Sequence, residues 1–113
     1  MKKIRFIAAF IQHDISFTKE IEGYLFSIPE FPEHQFVVHK ELFVYNEEVS
    51  TLTTWTASEL TTGLCLMSQR QSPTIKSAIE LAISELTTTY KKFAFPQLMT
   101  SGDFPKLNEN IKL

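Results

Sequence analysis

Trp55-Thr-Ala-Ser-Glu59-Leu-Thr-Thr-Gly63-Leu-Cys65-Leu-Met67-Ser-Gln69, then Arg70-Gln-Ser72-Pro73 and a run to Phe93, is the stretch that decides the fold class. Two apolar-rich runs flank Thr61-Thr62-Gly63, a short turn whose last position suits a glycine at positive φ. A hairpin is therefore expected over 55–69, with Leu60 opposite Leu64 and Ser58 opposite Leu66. Its other face shows Trp55, Ala57, Glu59, Cys65 and Met67. Ser72-Pro73 opens a helix, with serine as cap and proline at the first position, where a missing N–H has no partner to lose. Ile75, Ala78, Ile79, Ala82, Leu86, Tyr90 and Phe93 form one apolar stripe. The β-branched run Thr87-Thr88-Thr89 predicts that the helix frays after Leu86.

Upstream, Lys3–Gln12 is rich in Ile and Phe. Ile4, Phe6, Ala8 and Phe10 face one way in a strand, and the apolar residues between them place that strand inside a sheet. From His13 to Ile28 the period changes: Phe17, Ile21, Tyr24, Leu25 and Ile28 recur at intervals of three and four, the spacing of a helix. Asp14 or Ser16 is available as its cap, and Pro29 ends it. Phe36–Tyr45 reads as a strand, Asn46–Thr54 as a polar connection, and Gln97–Leu113 as an irregular tail packed through Leu98 and Phe104. The expected order is β-α-β-β-β-α: a single α+β domain over residues 1–113, with an antiparallel sheet of three to four strands and two helices.

Composition narrows the function classes. Eleven basic residues against 13 acidic ones leave a net charge of −2, whereas a domain that lives on phosphates is usually basic. One cysteine, Cys65, excludes an internal disulfide and fits a reducing compartment or a secreted protein that needs no staple. Met1-Lys-Lys followed by Ile4–Ile11 faintly resembles a signal peptide, but Arg5 interrupts the run and His13-Asp14 stands where a cleavage site belongs. No segment reaches the length of a membrane span, so a cytoplasmic location without a membrane partner is expected. Ten phenylalanines promise a large core, an adhesive surface, or both.

No constellation of catalytic residues stands out. His13, His34 and His39 lack the paired spacing of a zinc site. Cys65 has no histidine near it in sequence to lower its pKa. Gly23, Gly63 and Gly102 do not make a phosphate-cradling loop, so no nucleotide cofactor is expected. Glu59 shares a sheet face with Trp55 and Met67 and reads either as an acid of raised pKa or as a rim carboxylate paired with a cation. The chain is read as non-catalytic. An acid site around Glu59 and His39 is the enzymatic alternative, and it requires the two within hydrogen-bond reach.

Helix, three strands and helix echo the order of double-stranded-RNA-binding domains in topology alone. The segment Ser72-Pro-Thr-Ile-Lys76 offers one lysine where those domains carry a cluster. Nucleic-acid binding through Phe43, Tyr45 and Trp55 is therefore the second reading. Trp55-Thr-Ala-Ser-Glu59-Leu-Thr-Thr-Gly63, a second strand and a helix bearing Ala78-Ile79 resembles a hairpin-helix pattern in small prophage and mobile-element proteins of unknown function. It covers about a third of the chain, and it implies a bacterial or phage setting rather than an activity. The leading expectation is geometric. Three strands are apolar on both faces, and one long helix covers only one face. The other meets the first helix, the Phe-rich tail, a second copy or another protein. Tyr45, Trp55, Met67 and Arg70 are the expected anchors of a small interaction module, being of types found at binding hot spots or, for Met67, on the same face.

Overall fold

A computed structural model describes residues 1–12, 15–65, 72–88, 105–111 and 113 of the chain. Four strands, β1 (Lys3–Gln12), β2 (Ile15–Phe26), β3 (Phe36–Tyr45) and β4 (Glu48–Glu59), precede one helix, α1 (Ile75–Thr87). The strands form an antiparallel meander in the order β1-β2-β3-β4, which establishes the mixed α+β class.

The first expected helix is a strand. Its stripe at spacings of three and four hid a period-2 pattern, Phe17, Ile21 and Leu25 against Thr18, Glu20 and Glu22. That second set lies opposite Ala9, Ile7 and Arg5 of β1. Lys3 reaches Glu22 at 3.0 Å, and Arg5 reaches Glu20 at 3.1 Å and Glu22 at 3.3 Å, so the polar face is a ladder of cross-strand ion pairs. Glycine at 23 fits the same assignment. A Cβ there would press on Val37 and sit 2.8 Å from the Val38 carbonyl of β3. The order β-α-β-β-β-α with two helices is therefore corrected to four consecutive strands and, among the described residues, one helix.

The polar connection expected over Asn46–Thr54 is a tight turn and most of a strand. Asn46 and Glu47 take φ of 49° and 65°, the left-handed pair that a two-residue hairpin turn demands. Tyr45 then faces Glu48, and the Thr-rich run that looked like a loop is β-branched strand material. Ser58 faces Cys65 rather than Leu66, and only a single bridge forms there within the described residues. Helix α1 starts two residues after the expected proline. Thr74 caps it, its hydroxyl accepting from Ser77 N–H, while Ser77 Oγ accepts from Thr74 N–H in a capping box. Ser72, the expected cap, instead uses its carbonyl to accept from Trp55 N–H at 2.8 Å. The helix ends at Thr87, as the threonine run predicts. Leu98 and Phe104, the expected tail anchors, lie outside the described residues.

Two cores result. Phe26, Ile28, Phe31, Phe36, Val38 and Ala57 pack beneath Ala78, Ala82 and Leu86 of α1. The opposite sheet face contributes Ile4, Phe6, Ala8, Ile21, Val37 and Leu60, backed by Leu25, Leu42 and Ile111. Among the described residues no second helix covers this face. The sheet rolls up instead. After β4 the chain turns through Leu60–Gly63, and Leu64 both accepts from Glu59 N–H and bridges Ala9 of β1. Gly63 accepts from Ala9 N–H at 2.8 Å, so the two outer edges of the meander meet. Asn108 locks the seam. Its side chain accepts from Ile7 N–H at 2.7 Å and donates to the carbonyls of Ile7 and Leu60, each at 2.8 Å.

Candidate functional site

The expected acid site does not assemble. His39 faces Thr56 across the β3–β4 ladder and Glu59 faces Phe36, three residues away. An odd separation along a strand puts the two side chains on opposite sheet faces. Glu59 is nearly fully buried, and its carboxylate accepts from Thr61 N–H at 2.8 Å and from Thr62 N–H and Thr62 Oγ1 at 2.9 Å. Among the described residues it pairs with no cation, and it organises the turn that delivers Gly63 to β1. A rim role and an acid–base role give way to a loop clamp.

His39 has a different partner, one that sequence reasoning missed. Its Nδ1 lies 2.8 Å from the Lys40 carbonyl and its Nε2 2.7 Å from Ser58 Oγ. A carbonyl can only accept, so Nδ1 carries the proton and Nε2 accepts from the Ser58 hydroxyl. The atoms match a serine activated by a histidine base. The surroundings do not, because His39 is 2% exposed and Ser58 0%, with the Phe6 ring edge-on at 5.3 Å. No substrate reaches the hydroxyl in the closed roll. The pair acts as a fastener: it satisfies two buried polar side chains and ends the β2–β3 ladder. That ladder runs only from Phe26↔Phe36 to Gly23↔His39, and the carbonyl that would bond the next β2 residue is held by the imidazole. A lone serine on a strand gives no local signal for this role.

Burial lowers the His39 pKa to about 4, against the raising effect of the Lys40 carbonyl. The unfolded chain titrates near the ordinary value of 6.5. Above 6.5 both states are neutral and the shift contributes nothing. Between 6.5 and 4 the unfolded state takes up a proton that the folded state refuses, so stability falls as pH falls, by about 3 kcal/mol over the window. Urea midpoints measured from pH 7.5 to pH 5 should drop in the wild type and drop less in His39→Asn. Parallel curves would place the imidazole in water.

The expected anchors separate. Tyr45 stands at the tip of the β3–β4 hairpin, 71% exposed. Trp55 is half-buried against the helix-side core, 6.4 Å from the Tyr24 ring, with Lys40 Nζ 4.4 Å above its own ring. Met67 and Arg70 lie outside the described residues. Cys65 is exposed beside Thr56, whose hydroxyl is 3.3 Å from Sγ. Among the described residues no group of His, Cys, Asp and Glu could hold a metal ion, and no helix is long and apolar enough to cross a membrane.

The outer half of the β3–β4 hairpin is partly open. Beyond His39 it leaves β2, and Phe43, Val44, Val49 and Leu52 are only half-buried while Tyr45, Asn46, Glu47 and Glu48 are exposed. Lys40 Nζ donates to the Thr53 carbonyl and Thr54 Oγ1 donates to Glu41, so the base of this arm is braced from both strands. Comparison of the chain with protein-family models, with curated proteins and with solved structures returns no match.

Proposed function

We propose that this protein is a small non-catalytic interaction module that binds another protein through the arm formed by the outer halves of β3 and β4. One observation carries this reading. Both large apolar sheet faces are consumed within the chain, one by α1 and one by the roll. The outer hairpin, braced at its base, carries Phe43, Val44, Val49 and Leu52 only half-buried and the exposed Tyr45 at its tip. Tyrosine supplies contact area with little rotamer entropy to lose, which makes it an efficient anchor. The sheet face that first suggested association is thereby replaced by the hairpin as the contact surface. Over β1 and β2 the outer face presents the Lys3, Arg5, Glu20 and Glu22 ladder, a solvated surface.

Tyr45→Asp tests the reading cleanly, because the residue supports neither core. The variant should melt within about 2 °C of the wild type, as exposed substitutions do. It should lose capture of the partner, or lose self-association if the partner is a second copy. Unchanged capture and unchanged solution mass would remove the arm from consideration. Trp55→Ala is a poorer probe, since it also opens the helix-side core.

A further inference from the structure

Resting on that reading of the arm, we propose that the free edge of β3 from Leu42 to Tyr45 accepts an extended peptide as an added strand, and that the peptide is β-branched at its centre and carries lysine or arginine at its ends. The backbone supplies the first argument. Tyr45 and Glu48 flank a two-residue turn and therefore bond to each other, so the odd residues Phe43 and Tyr45 spend their N–H and C=O groups on β4. Leu42 and Val44 consequently point theirs away from β4, toward the side that β2 has left. Among the described residues nothing bonds them there. One carbonyl short of this edge, Lys40 is closed by His39 Nδ1, so the vacant run has a defined inner end. An unpaired strand edge is a template for another extended chain.

Composition tells the two sides of the opening apart. The β2 side displays Thr18, Lys19 and Glu20, all exposed, which is how an edge is kept from pairing. The β3 side reads Leu42-Phe43-Val44-Tyr45, with no charge, proline or glycine among the four. Charge then selects the occupant. From Lys40 to Thr54 the arm holds Glu41, Glu47 and Glu48 against the single cation Lys40, whose ammonium already serves Thr53 and the Trp55 ring. Two acids at the tip and one at the base bracket the apolar run. A strand with basic ends is complementary to that bracket, whereas an acidic one meets like charge.

The test uses the full chain and an acetylated peptide, Lys-Lys-Val-Thr-Val-Thr-Val-Lys, followed by titration calorimetry. Saturable binding is expected, weakening about fivefold between about 50 and about 500 mM salt. The same peptide N-methylated throughout its Val-Thr core should not bind, because it has no N–H left to donate there. Val44→Pro should also abolish binding while preserving the fold. The N–H it removes faces the open edge rather than β4, and proline is tolerated on edge strands. If that variant fails to fold, the N-methylated peptide carries the test unaided. Equal binding of the methylated and unmethylated peptides, or a preference for a glutamate-ended version, would overturn the proposal. So would a monomeric wild type that binds neither peptide. A solution mass that doubles in the wild type and halves in Val44→Pro would assign the edge to a second copy, overturning the peptide as occupant. Loss of peptide binding with Tyr45-dependent partner capture intact would defeat the strand-addition proposal and leave the interaction module standing.

Discussion

Gly63→Ala is expected to lower stability by about 3–5 kcal/mol, visible as a urea midpoint shifted far below that of the wild type. Two costs combine. Gly63 holds φ of +73°, a conformation that disfavours any side chain with a Cβ. The new Cβ would also be driven into the Ile7 carbonyl oxygen, with Ile7 C at 3.2 Å and Ala8 Cα at 3.3 Å behind it. The atoms it meets are backbone atoms of β1, so no rotamer change relieves the clash. Either β1 retreats and the seam opens, or the Glu59–Gly63 turn unwinds and the Ala9 N–H bond to Gly63 is lost. A variant with wild-type midpoint and unchanged slope would show that the two edges of the sheet are not joined here in solution.

Asn108→Ala should cost about 3 kcal/mol or more, roughly 12 °C in melting temperature for a chain of this size. The carboxamide replaces a neighbouring strand. It satisfies both the N–H and the C=O of Ile7 on the outer edge of β1 and ties them to Leu60 across the seam. Truncation leaves three polar groups, one of them on buried Leu60, without the partner they had, and unmade bonds cost more than made ones contribute. Asn108→Asp separates this from simple loss of volume. At neutral pH its carboxylate would face two carbonyl oxygens and should be more damaging than alanine, the excess easing as the acid is protonated. Both Asn108 and Gly63 act on the same stretch of β1. The double variant Gly63→Ala/Asn108→Ala should therefore lose clearly less than the sum of the singles. Additivity would mean that the two do not close one seam.

Both residues were invisible as determinants when only local pattern could be read, for different reasons. Gly63 was recognised as a turn glycine, because positive φ is a property of a few consecutive residues. Its fit against Ile7 depends on a strand more than fifty positions away. Asn108 sits in a polar tail with no periodicity, and its three partners lie 101 and 48 residues distant. The same divide runs through the candidate site. Tyr45 was singled out by residue type alone, and it is the most open of the arm's aromatics. Glu59 was noticed as an acid in an apolar setting, and it is one, but its three donors come from a turn whose shape the side chain itself helps set. Ser58 gave no signal. A buried hydroxyl and a buried imidazole become a pair only when β3 and β4 are in register.

The segment His13–Ile28 carries two periodicities at once. Phe17, Ile21, Tyr24, Leu25 and Ile28 satisfy a period of 3.6, while Phe17, Ile21 and Leu25, without Tyr24 and Ile28, also satisfy a period of 2. Intrinsic preference did not separate them. The extended form is the one that pairs with β1 along the whole ladder from Lys3↔Tyr24 to Gln12↔Ile15, with Lys3 and Arg5 beside Glu22 and Glu20. What the amino-acid order determined without help was a set of features fixed by neighbours within a turn or two: the alternation of β1 and β3, the apolar stripe of α1 and its end at the threonine run, the glycine turn, and the abundance of apolar β-surface. What only the tertiary structure decided was where that surface goes. Rolling a four-stranded sheet until its edges are joined depends on contacts between residues roughly fifty to a hundred positions apart, and no local periodicity encodes a closure of that range.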